Sequence, residues 1–136
     1  MPTEPRFLNP ATLSKPPGYT HVVEIAGPGR IVYLAGQLGV DVEGKVVGAP
    51  GDFRAQAEQT FENIKAALAA VGAGVEHIVK INTYMVDIEK HVPIFREVRN
   101  RHLNMAAPPA STAVGVPALA RPGALVEVEA IAILPA

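Results

Sequence analysis

Val126-Glu127-Val128-Glu129-Ala130-Ile131-Ala132-Ile133-Leu134 is the stretch on which the fold turns. Val126, Val128, Ala130 and Ala132 alternate with Glu127, Glu129, Ile131 and Ile133, the period of a strand, and the predicted strand runs from Ala124 to Leu134. One face belongs against helices. The other carries isoleucines as well as carboxylates, so it needs a second cover, for which a partner subunit is the natural choice.

Working outward, Ala49-Pro50-Gly51-Asp52 reads as a loop ending in a helix N-cap. Phe53, Ala57, Phe61, Ile64, Leu68 and Val71 then recur at steps of 4, 4, 3, 4 and 3, one helical face, and Gly72 and Gly74 end the helix. Residues 75–86 are rich in strand formers and fit no helical stripe. A second helix is predicted to start near Pro93, because proline is tolerated in a first turn. Ile94, Phe95, Val98 and Leu103 share its broad apolar face, with Glu97 and Arg101 paired outside at i, i+4. It ends before Pro108-Pro109, and Ser111 to Val116 follows as a strand. Upstream, His21 to Ile25 and Ile31 to Ala35 are β-branched runs around Ala26-Gly27-Pro28-Gly29-Arg30, predicting an antiparallel hairpin. Residues 1–18 read as a surface arm. The sum is an α+β pattern, two helices covering one face of a mixed sheet.

The 136 residues suit a single domain over 1–136, able to bury about two thirds of its unfolded surface. With no cysteine, a disulfide framework, a Cys-ligated metal and a thiol nucleophile are excluded. A net charge of -1 provides no electrostatic footprint for nucleic acid, which is not an expected partner. No apolar run approaches the ~20 residues of a membrane span, and the N-terminus does not read as a signal peptide, so a cytoplasmic protein without membrane contact is expected. No P-loop, GxGxxG, HExxH or GxSxG string occurs. His21, His77, His91 and His102 show no ligand spacing, so no metal is expected. Arg96, Arg99, Arg101 and His102 form the one basic concentration, which reads as a solvated helix face interleaved by Glu97.

Gly18-Tyr19 before the first long strand, Ala35-Gly36-Gln37, the helix from Gln56 to Val71 with Asn63-Ile64 at its centre, the strand 75–86 and the terminal string Glu127 to Ala132 occur together in one order. In this combination the chain resembles the reactive intermediate deaminases, the RidA/YjgF or Rid family, over nearly its whole length. The resemblance implies a chorismate-mutase-like α+β fold, a homotrimer with three intersubunit clefts, and no cofactor or metal. It further implies hydrolysis of an imine to a ketone and ammonia, with a Tyr and backbone groups lining the cleft, an Arg holding a carboxylate and a Glu positioning water. By motif, Tyr19, Gly36 and Glu127 match the Tyr, Gly and Glu, with the segment from Tyr19 to Gly36 about three residues longer than the family pattern.

The Arg is missing. It follows Pro-Ala in the family pattern, and after Pro109-Ala110 this chain has Ser111. A hydroxyl cannot reproduce a bidentate guanidinium grip, whose loss costs on the order of 10- to 150-fold in binding. An Asn common on the family's second helix is Phe95 here, and the Ser before the glycine is Ala35.

The residues expected to carry chemistry are therefore Glu127 as the water-handling group, with Tyr19, Gly36, Ser111, Ala113 and Phe95 binding a small molecule. Each has a plainer reading: a wet strand carboxylate beside Glu129, a packing tyrosine, a bend glycine, a turn serine and a core phenylalanine. Arg121, in the loop Ala120-Arg121-Pro122-Gly123, is the one substitute considered for the absent cation. Three functions are compatible with this pattern: hydrolytic deamination of a reactive imine, enamine or related metabolite; a trimeric module that binds a metabolite without turning it over; and an enzyme acting on a substrate without a carboxylate, for which Ser111 and Phe95 give a more neutral pocket.

Overall fold

A computed structural model describes residues 4–136. The alternating C-terminal stretch is a strand within a four-stranded sheet of order β3-β6-β4-β5. The chain order is β1 (Arg6–Leu8), β2 (Val22–Glu24), β3 (Gly29–Leu38), α1 (Phe53–Ala69), β4 (Ile78–Val86), α2 (Ile88–His102), β5 (Ala110–Val116) and β6 (Val126–Pro135), with a short 3-10 turn Val75–His77 before β4. β6 runs antiparallel to both β3 and β4, whereas β4 and β5 are parallel. A parallel pair needs a crossover, and α2 supplies it.

The period-two pattern sorts the side chains as expected. Val126, Val128, Ala130 and Ala132 of β6 and Ile81 and Met85 of β4 are buried on the helix side. There they meet Phe53, Ala57, Phe61, Ile64 and Leu68 of α1 and Phe95 and Val98 of α2 in one core. Asp52 caps α1 by accepting from the Ala55 amide at 3.0 Å. Buried Gln56 ties α1 to the entry of β6: its amide donates to the Gly123 carbonyl at 3.0 Å and its oxygen accepts from the Leu125 amide at 2.8 Å.

Several expectations are corrected. The segment expected to form a hairpin with β3 instead pairs with the supposed arm: Arg6, Phe7 and Leu8 lie opposite Glu24, Val23 and Val22. β3 pairs with β6, from Gly29 opposite Pro135 to Leu38 opposite Glu127. Strand propensity names a strand but not its partner, and Gly27, at φ 92°, turns the chain out of line between β2 and β3. Of the arm, residues 1–3 lie outside the described residues. The second helix starts at Ile88, directly after β4, so Pro93 is an interior residue. A single left-handed residue, Asp87 at φ 54°, makes the junction, and its carbonyl accepts from Lys90 and His91. Val71 lies beyond α1 and is 40% exposed, so the stripe ends at Leu68.

Glu97 and Arg101 do not pair with each other. Arg54 of α1 reaches Glu97 at 2.6 Å, and Arg101 pairs with Glu58. His102 stacks on Phe61, its Nε2 2.6 Å from Glu58 and its Nδ1 2.8 Å from the Lys65 ammonium. Lys65 has only protons to give, so Nδ1 accepts and the imidazole is neutral with its proton on Nε2, facing Glu58. Burial and then the charge of Lys65 lower the His102 pKa accordingly.

The face of the sheet turned away from the helices has no cover within the chain. Ile31 is 58% and Tyr33 75% exposed there, and with Ile131 they border a broad apolar concavity. Next to it lies a polar region made by Lys80, Asn82 and Tyr84 of β4, Thr112 of β5 and Glu127 and Glu129 of β6. Among the described residues no helix is long and apolar enough to cross a membrane.

Candidate functional site

The sequence-predicted residues fall into two groups on opposite faces of the sheet. Ser111 and Ala113 lie opposite Ile81 and Thr83 in the parallel register and share their helix-facing side. β5 is the sheet edge, so these positions meet α2 and a loop rather than the core. Together with Tyr19, Phe95, Arg96 and Arg99 they line a cavity of about 120 Å³. Tyr19 is delivered to it by a clamp on the Pro108-Pro109 turn: the Thr20 amide donates to the Pro109 carbonyl at 3.2 Å, and its buried hydroxyl donates to the Pro108 carbonyl. Phe95 serves both the core and the cavity wall.

Arg99 is the residue that sequence reasoning misplaced. It is only 7% exposed, although it belongs to the cluster expected to be a solvated face. Its Nε and Nη2 both donate to Asn100 Oδ1 at 3.1 Å, and among the described residues no carboxylate lies within 4.0 Å of it or of Arg96. Burial, followed by the charge of Arg96, pulls the Arg99 guanidinium below its usual pKa. Space for it exists because residue 18 is glycine: a Cβ there would overlap Nη2, and φ is +93°. The sequence did hold a signal, since Arg99 follows Phe95 at i+4 and so lies on the apolar stripe of α2. Arg121, the substitute considered from sequence, instead donates to the Gly44 carbonyl and does not line this cavity.

The second group is Gly36 and Glu127, on the open face. The β3–β6 register shifts between Leu34 and Gln37, which brings Gly36 against the Glu127 side chain; a Cβ on Gly36 would overlap the carboxylate. The two carboxylates of β6 differ. Glu129 accepts from the Tyr84 hydroxyl at 2.6 Å and from the Asn82 amide at 3.2 Å. That hydrogen bond, then burial and the nearby carboxylates, raise the Tyr84 pKa. Glu127 has no hydrogen-bond or ion-pair partner among the described residues, and both its oxygens remain open to accept a proton from water. Within one chain, then, an acceptor half and a cationic half are built separately. No group of three or more His, Asp or Glu is placed to hold a metal ion among the described residues.

Residues 12–134 match the family model described as Endoribonuclease L-PSP. A solved structure from Yersinia pestis, YyfB of the conserved Rid protein family, superposes with a TM-score of 0.82 at 32% identity, covering 96% of this chain and 98% of that one. This chain belongs to the Rid family. RidA from the Antarctic bacterium Psychrobacter sp. PAMC 21119 is 35% identical with a TM-score of 0.71, covering 89% and 92% of the two chains. Among curated Rid relatives, a 2-iminobutanoate/2-iminopropanoate deaminase from Dermatophagoides farinae is 32% identical over 130 residues, 95% of this chain and 96% of its own. Protein DfrA of Myxococcus xanthus is 36% identical over 115 residues, 85% and 84% of the two chains. The Rid relationship accounts for two helices on a mixed α+β sheet; it leaves the role of each site residue to chemistry.

Proposed function

We propose that this Rid-family chain hydrolyses a reactive imine or enamine of a small metabolite in clefts between the subunits of a homotrimer. The observation that carries this reading is the Glu127 carboxylate, unpartnered among the described residues and set against Gly36 on a face the chain leaves uncovered. Ile31, Tyr33 and Ile131 on that face supply the apolar area a neighbour would bury. When subunits join, the Gly36–Glu127 half of one completes the Tyr19, Phe95, Ser111 and Ala113 half of the next, which explains why one chain holds the two halves apart. The deaminase name of the Dermatophagoides relative supports the reaction class.

The reaction needs only water. Glu127 takes a proton as water oxygen bonds to the imine carbon and the C=N π pair moves to nitrogen. That proton is passed to nitrogen to give a carbinolamine; its hydroxyl proton then moves to nitrogen as the C=O bond forms and the C–N bond breaks, so that the ketone and ammonia leave. An enamine first takes a proton on carbon to become the imine. Backbone groups at Gly36 and Ala113 orient the substrate in a pocket with no required metal or cofactor.

Ammonia release from enzymatically generated imines, measured on the native protein and on Glu127→Gln, tests the reading. The native protein should release ammonia faster than buffer, and Glu127→Gln should lose on the order of 10²- to 10⁴-fold. Tight binding of a metabolite with no turnover in either protein would instead make the chain a binding module.

A further inference from the structure

The small cavity between α2 and β5 contains a feature that water handling by Glu127 does not use. Arg99 is a guanidinium with five N–H donors, and it spends two of its nitrogens on one neutral oxygen of Asn100. Nη1 has no acceptor among the described residues, while the side chain lines the same cavity as Ser111 and Tyr19. Burying a cation without a counter-charge is unfavourable, and Arg96 on the same wall adds repulsion. A bound anion relieves both. The room is small, about 120 Å³, which suits a short-chain anion rather than a large metabolite.

We propose that Arg99, with Arg96 at the rim and Ser111 lining the same cavity, is the anion clamp of this protein, and that it takes the carboxylate of a short-chain ligand. The clamp rests on the deaminase reading for the imino form of the ligand, but not for carboxylate binding itself. A guanidinium delivered from helix α2 takes over the work that Ser111 on β5 cannot do. Gly18 is its positioning residue, because any side chain there occupies the place of Nη2.

The test uses 2-oxobutanoate, the ketone expected from 2-iminobutanoate, and its uncharged amide, each titrated against the isotope-labelled intact protein while the arginine Nε–H signals are followed by NMR. The acid should shift the Arg99 signal and bind at least tenfold tighter than the amide. Arg99→Gln should weaken the acid by on the order of 10- to 150-fold and leave the amide unchanged. Arg99→Lys should recover part of the loss, and Ser111→Arg in the Arg99→Gln background should recover most of it. Gly18→Ala should resemble Arg99→Gln. Equal affinity for acid and amide, acid binding unaltered by Arg99→Gln, or absence of binding by the native protein each overturns the clamp. So does a lower melting temperature or smaller assembly in Arg99→Gln with acid binding intact, which would make Arg99 an interface residue. The deaminase reading fails separately. Arg99-dependent acid binding without ammonia release keeps the clamp and removes the reaction; Glu127-dependent ammonia release with an unchanged KM in Arg99→Gln keeps the reaction and removes the clamp.

Discussion

The helix-side and open faces of the sheet are made from the same strands, yet they solve different problems. On the helix side Val126, Val128, Ala130 and Ala132 of β6 share one core with residues of α1, α2 and β4. On the open side Tyr33 and Ile31 remain exposed, and of two neighbouring carboxylates one is held by Tyr84 and Asn82 while the other is unpartnered among the described residues. The closed face explains why the chain folds. The open face, with its unspent apolar area and acceptor, is where association and chemistry are to be sought.

The contrast is broken most severely by putting a charge on each face in turn. Val128→Asp places an unpaired carboxylate at a fully buried position and should destabilise the protein by more than about 4 kcal/mol, read as loss of a cooperative melting transition. Ile31→Asp, at a position 58% exposed, should keep the circular dichroism of the native fold while lowering the mass in sedimentation. If both variants unfold, the two faces are not distinct.

A finer cut is Gly36→Ala. The added Cβ displaces Glu127, and a carboxylate moved by about 1 Å should cost on the order of 10²-fold in ammonia release, with melting little changed. Gln37→Ala next to it should cost far less, because the Gln37 side chain only donates to the Ala35 carbonyl.

The smallest expected effect lies in the helix layer. His102 has a folded pKa below the ordinary 6.5, so the unfolded chain binds its proton more readily than the native one. The contribution of the neutral ring is fully present above pH 6.5 and is lost as pH falls through the depressed folded value. Melting temperature should therefore fall on acidification, and His102→Gln should flatten that part of the profile without altering ammonia release at neutral pH.

Much of this was legible without coordinates. The steps of Phe53, Ala57, Phe61, Ile64 and Leu68 and the alternation along β6 follow from helix and strand periods, and both appear in the fold. The partner of β2 was not legible, because pairing compares distant segments, and β1 competed successfully with β3. Nor was the start of α2, since the constraint there is the abrupt end of β4 at Asp87 rather than the proline six residues later. In the candidate site, Tyr19, Phe95, Ser111 and Ala113 were identified and do converge, and so do Gly36 and Glu127. That these form two groups is a property of the register, which assigns neighbouring strands to one face or the other.

The amino-acid sequence alone determined the element types, the apolar stripes, the absence of thiol chemistry and the substitution of serine at position 111, because each depends on residue identity or short-range period. Tertiary structure decided which charges are exposed and which are stranded. Arg99 is buried beside Ser111 only because the Thr20 clamp lays Gly18 and Tyr19 across α2, and Glu127 lacks the partner Glu129 has only because Tyr84 and Asn82 reach the latter. The energy of a charge depends on its surroundings in space, and those surroundings are assembled from segments far apart along the chain.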